Sequence, residues 1–93
     1  MKFEWDEEKE RKNIEKHGID FRTAVQVFLD ENRIEFFDEK HSAVEERYIT
    51  IGTVGNRMIL ITLVYTERRD TLRVISARRA TGKERRLYQD GKI

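Results

Sequence analysis

One stretch constrains the fold more than any other. The segment MILITLVY, Met58 to Tyr65, is apolar apart from Thr62. It is far shorter than the roughly 20 residues needed to cross a bilayer. It also lacks the alternation of a half-exposed strand, so it is expected to be a central strand covered on both faces.

The segments around it supply the other elements. Ile34 and Phe36 alternate with Arg33 and Glu35, and Ile49 and Ile51 alternate with Tyr48 and Thr50, the period of strands. Between them lies a polar segment from Asp38 to Glu46. Val54-Gly55-Asn56-Arg57 and Arg68-Arg69-Asp70-Thr71 read as hairpin links, making the last three strands an antiparallel meander. Phe3 to Trp5 can form a short first strand. Asp6 is a good N-cap, Glu7 and Glu8 suit the positive end of a helix dipole, and Gly18 suits a C-terminal stop after His17. In this first helix Ile14 is the only large apolar residue, and a helix polar nearly all round needs a reason other than core burial. Asp20 caps a second helix, in which Phe21, Ala24, Val25 and Phe28 form a core-facing stripe. Thr81-Gly82-Lys83-Glu84 matches the capping box that opens a last helix. The order is β-α-α-β-β-β-β-α, an α+β fold in a single domain spanning residues 1–93. There is no internal repeat and no linker-like stretch.

Composition narrows the chemistry. The chain has no cysteine, which excludes disulfides and thiolate metal sites and fits a reducing cytoplasm. The N-terminal residues contain no apolar run of the signal-peptide kind, so an intracellular protein is expected. The net charge of +1 hides an asymmetry. Residues 68–93 hold nine Lys or Arg against three acids, a net of +6, which leaves −5 on residues 1–67. Such a segment is either the footprint of a polyanion or a solvated basic face. Its sharpest feature is VISARRATGKERR, residues 74–86, where an apolar strand runs into Arg78 and Arg79 just before a helix. Arginines beside a helix N-terminus suit phosphate. Adjacent strand residues point to opposite faces, however, so one of the two arginines is free to be structural.

These pieces together resemble the BrnT family of toxins from bacterial type II toxin–antitoxin systems. The resemblance is carried by Phe3-Glu4-Trp5-Asp6 with Lys9, Asn13 and Lys16-His17-Gly18, and by Phe21, Ala24 and Val27-Phe28. Glu45-Glu46-Arg47 with Ile51-Gly52 and Tyr65-Thr66-Glu67-Arg68 continue it. Ile75-Ser76-Ala77-Arg78-Arg79-Ala80-Thr81 and Glu84-Arg85-Arg86-Leu87-Tyr88 complete it. It implies a RelE-like fold and metal-independent cleavage of RNA, with inhibition of translation and growth. It also implies a cognate BrnA antitoxin that neutralises the toxin and, in complex with it, binds promoter DNA. A ribbon–helix–helix antitoxin would make the complex 2:2.

Cleavage of this kind needs help for attack by the ribose 2′-OH, cations for the phosphorane-like transition state, and an acid for the departing 5′-oxygen. Arg78, Arg79 and Arg68, at the ends of two neighbouring strands, are the cationic candidates, because a guanidinium grips two phosphate oxygens and stays charged. His17 is a candidate for proton transfer, since histidine works in either direction near neutrality. It is equally a dipole partner beside a glycine cap. Glu46 is the carboxylate candidate, or else a surface partner of Arg47. Lys9, Asn13, Lys16, Arg47, Lys83, Arg85, Arg86 and Tyr88 are candidate RNA contacts. Lys9 could instead lie on the Trp5 ring, Asn13 could satisfy a buried backbone group, and Tyr88 could pack the last helix. His41 and Tyr65 read as solvated and core respectively. No zinc signature, phosphate-binding loop or dinucleotide fingerprint exists, so no cofactor or metal is expected. The competing class is a non-catalytic module that binds nucleic acid or a partner protein, or a homologue whose remaining role is structural.

Overall fold

The computed structural model describes residues 1–91, and Lys92 of the basic segment lies outside them. β1 (Lys2–Glu4) leads into α1 (Glu7–His17), α2 (Phe21–Ala24) and a 3₁₀ segment (Val25–Leu29). There follow β2 (Ile34–Phe37), a 3₁₀ turn (Glu39–His41), β3 (Tyr48–Val54), β4 (Ile59–Arg68), β5 (Thr71–Arg79) and α3 (Gly82–Asp90). The strands form one sheet in the order β1-β5-β4-β3-β2. β2 through β5 pair antiparallel, whereas β1 runs parallel to β5, so the sheet is mixed. β4 is the middle strand, as its apolar run requires. Leu60, Ile61, Thr62, Leu63, Tyr65 and Thr66 are all buried.

Each face has its own cover. On the first face, Phe21, Ala24 and Val27 pack with Val54, Ile61, Leu63, Tyr65, Val74 and Ala77. On the second, Leu87 and Tyr88 of α3 pack on Ile34, Ile51 and Leu60. The expected stripe of Phe21, Ala24, Val25 and Phe28 does face this core, and Val27 joins it. The chain tightens to a 3₁₀ helix after Ala24, and its period of three brings Phe21, Ala24 and Val27 onto one buried line. Gly52 permits this close contact. A Cβ there would stand 3.2 Å from the Val27 carbonyl oxygen and 3.3 Å from Asp30 Oδ2.

α1 resolves the question of its own polarity. Asp6 caps it by accepting the Lys9 N–H at 2.9 Å, and Gly18 ends it at φ 71° with its N–H on the Ile14 carbonyl. Ile14 itself is 44% exposed, so apolar burial does not hold this helix down. Asn13 does. Its amide donates to the Ala77 carbonyl at 2.8 Å and to the Ile19 carbonyl at 2.9 Å, and its oxygen accepts the Ala77 N–H at 3.1 Å. Glu10 adds a second tie by accepting the Phe21 N–H at 3.0 Å. β1 begins one residue earlier than the sequence pattern predicts, at Lys2.

Candidate active site

The two arginines at the end of β5 diverge. Arg78 pairs in register with Thr62 on the face that α3 covers. Its guanidinium forks onto Glu84 at 2.7 and 2.8 Å. Glu84 is the capping-box residue of α3: its Oε1 accepts the Thr81 N–H, and Thr81 Oγ1 accepts the Glu84 N–H. The Thr62 hydroxyl donates to the same carboxylate at 2.9 Å. Arginine, helix N-terminus and hydroxyl thus form the anion-binding arrangement expected from the sequence, but the anion is the protein's own Glu84. Arg78 is therefore committed to holding β5, β4 and α3 together.

The electrostatics agree. Burial alone would push the Glu84 carboxyl up. Hydrogen bonds from Arg78, Thr81 and Thr62 outweigh it and hold the group at about 2 instead of 4.5. The Arg78 guanidinium is raised by the same pairing, mainly through its hydrogen bonds to Glu84. A carboxyl depressed on folding stabilises the native state fully above its unfolded value and loses that contribution as pH falls toward its folded value. Wild-type protein should therefore lose roughly 2 kcal/mol between about pH 4.5 and pH 2, after allowance for the 39% exposed Arg78 side chain. Glu84→Gln should be less stable at neutral pH and should lack this part of the acid slope. Urea melts across that range would check it.

Arg79 points the other way. It pairs with Ile61 and is exposed. With His17 and Asp20 it lines a cleft of about 230 Å³, whose other lining residues include Thr23, Val54, Ile59 and Ile61. α1 delivers His17 to this cleft because Asn13, one turn earlier, is pinned to β5. Gly18, in the left-handed conformation, turns the chain back toward the Asp20 cap of α2. Burial would raise the Asp20 carboxyl, but hydrogen bonds from the side chain and backbone of Thr23 outweigh it and lower it. Asp20 is a lining residue that sequence reading assigned only to capping. A larger cleft of about 400 Å³, lined by Met1, Phe3, Val25, Gln26, Phe28 and Leu29, contains no titratable side chain.

The remaining candidates scatter. Arg68 does not join Arg78 and Arg79. Because β4 and β5 are antiparallel, Arg68 pairs with Thr71 at the far end, about 23 Å of strand from Ile61. There it bonds Glu45 at 3.0 Å. Glu46 and Arg47 precede β3 at that same far end, where Glu46 is exposed beside Tyr48 and Glu67. Asn13 is 7% exposed with its donors and acceptor engaged, so it is a structural tie and is corrected as an RNA contact. Tyr88 is also corrected, since its hydroxyl donates to Asp30 at 2.7 Å and its ring packs on the second core. Lys9, Lys16, Lys83, Arg85 and Arg86 are exposed, Lys16 next to His17 and Lys83 at the start of α3. Trp5 meets Phe21 edge-on, and the cation–π contact described in this structure is Arg33 over Phe28, not Lys9 over Trp5. His41 is exposed and bonds Asp38, and Tyr65 is core.

An exposed guanidinium and an imidazole sharing one cleft can grip a phosphodiester and move a proton beside it. A family model described as the ribonuclease toxin BrnT of type II toxin–antitoxin systems matches residues 5–84. No curated protein matches the chain. The match covers most of the chain, which belongs to this family of ribonuclease toxins; membership implies an RNA target and a protein antitoxin.

Proposed function

We propose that this chain cleaves RNA without a metal ion, in the cleft between the end of α1 and the end of β5. The observation that carries this reading is that His17 and Arg79, far apart in sequence, line the same cleft. In the proposed reaction the ribose 2′-OH attacks the adjacent phosphorus. The O2′–P bond forms, the P–O5′ bond breaks, and the products are a 2′,3′-cyclic phosphate and a 5′-hydroxyl. Arg79 stabilises the charge that builds on the phosphorane-like transition state. His17 transfers a proton at one of the two reacting oxygens. Arg78 is a positioning residue, acting through Glu84 to fix the corner from which Arg79 projects. Lys16 and Lys83 flank this corner in sequence and draw in the RNA backbone.

The finer features implied by the family belong to the same reading. They are a RelE-like arrangement, action in the cytoplasm with arrest of translation and growth, and a BrnA-like ribbon–helix–helix antitoxin in a 2:2 complex that binds promoter DNA. The test is cleavage of single-stranded RNA by purified protein in excess EDTA. Products ending in 2′,3′-cyclic phosphate are expected. Cleavage that needs added Mg²⁺, or RNA left intact while still bound, would contradict the reading.

A further inference from the structure

The second face of the sheet is only partly covered. α3 reaches Ile34, Ile51 and Leu60. Thr62, Val64 and Thr66 alternate along β4 onto this same face, and their partners on β5 are Arg78, Ser76 and Arg73. Thr62 and Arg78 lie under the start of α3, bound to Glu84. Val64 and Ser76, farther along, are half-buried. Arg47 immediately precedes the Tyr48–Tyr65 pair that opens β3, which brings it beside Thr66.

Among the described residues, two atoms at this end lack partners: Thr66 is 0% exposed, yet its hydroxyl has no hydrogen-bond partner there, and neither does the buried Nε of Arg47. Buried polar groups are nearly always paired, and leaving one unpaired costs free energy. Among the described residues Arg47 is in no ion pair, while Arg73 shares its charge with Glu4 at 2.7 Å. A guanidinium receives a carboxylate best as a fork, often through Nε and a terminal nitrogen. A carboxylate arriving at Arg47 would supply the acceptor that its Nε–H lacks, once the side chain turns outward.

We propose that this partly covered face is the docking surface for the protein antitoxin, through a segment with acidic side chains on one flank and apolar ones on the other. The proposal rests on the family reading, which supplies the protein partner. Arg47 and Arg73 provide the charge complement, and the aliphatic Val64 and Ile49 lie between the arginines and α3. Single-stranded RNA would call for free aromatic platforms under its bases, whereas the aromatic rings on this face, Phe36 beside Ile49 and Tyr88 of α3, are packed on Ile34, Ile51 and Leu60. The face is also opposite the His17–Arg79 cleft, so docking and cleavage are separable by mutation.

The test uses Ser76→Glu and Ser76→Lys, each produced with the antitoxin from the toxin's own operon. It reads antitoxin affinity, RNA cleavage by the freed toxin, and thermal unfolding. Ser76→Glu is expected to weaken antitoxin binding about 100-fold, with cleavage within about twofold of wild type. Ser76→Lys should bind at least as tightly as wild type, and it alone decides the matter if the Glu variant does not fold. Unchanged affinity in Ser76→Glu, or weakened affinity in Ser76→Lys, would overturn the proposal. So would a fall in cleavage with antitoxin affinity preserved, which would assign the face to RNA. If wild-type toxin failed to cut RNA, the proposed reaction would fall while the binding measurement still stood.

Discussion

Arg79→Ala should slow single-turnover cleavage of RNA about 100- to 1000-fold and leave thermal unfolding almost unchanged. The rate estimate follows from removing one preorganised donor that acts on developing charge. The stability estimate follows from position: Arg79 is exposed, is in no described ion pair, and ends its strand. Arg79→Lys should recover only part of the loss, because an ammonium keeps the charge but not the two-pronged grip. Arg78→Ala should behave differently. It breaks a fork onto a carboxylate that also caps α3, so its first effect is on stability, and any loss of rate should follow from displacement of the corner. Rates and melting curves on the same samples would separate the two arginines.

Asn13→Ala should destabilise the fold by about 3 kcal/mol, lowering Tm by roughly 12–24 °C for a domain of this size. The substitution removes three hydrogen bonds at once. It leaves the N–H and C=O of Ala77 unpaired at a site where both bonds are buried, and it frees the Ile19 carbonyl in the turn after α1. Each buried orphan costs about 1–3 kcal/mol, and water entering near Ile19 offsets part of the sum. Nothing else on α1 can compensate, since Ile14 is exposed and Glu10 makes a single bond to Phe21. Asn13→Leu, which keeps the branching of the side chain but replaces the amide with two methyl groups, should lose at least as much, because the polar pairing is what holds α1. Both variants should also lose cleavage, as α1 no longer delivers His17. Equilibrium urea unfolding would measure the effect, and a change below about 1 kcal/mol would mean that something else fastens α1 to β5.

Much of the backbone could be read from the chain because the signals are local. Asp6, Gly18 and the Thr81/Glu84 box mark helix ends through hydrogen bonds within a few residues, and the structure contains those bonds. The run from Met58 to Tyr65 announced the central strand because a strand buried on both faces has no polar side to show. What local pattern could not supply was partnership over long range. Asn13 bonds Ala77 across the molecule, and nothing in its sequence neighbours separates that tie from an RNA contact. Glu84 looked like a cap alone, and its capture of Arg78 appears only when α3 folds back over β4 and β5. The close seat of the 3₁₀ segment against β3 needs Gly52, distant in sequence, where a Cβ would crowd the Val27 carbonyl. The position of Arg68 is a different matter. An antiparallel meander already requires the end of β4 to lie far from the end of β5, so grouping it with Arg78 and Arg79 ran against the topology read from the same residues.

The most direct measurement is a double-mutant cycle on single-turnover RNA cleavage, using wild type, His17→Ala, Arg79→Ala and the double variant. If the imidazole and the guanidinium serve one phosphodiester in one cleft, each single change should be severe, and the double variant should be far less impaired than the product of the two losses. A silent His17→Ala, a silent Arg79→Ala, or losses that simply multiply would show that the two side chains do not act together, and the cleft between α1 and β5 would not be the active site described here.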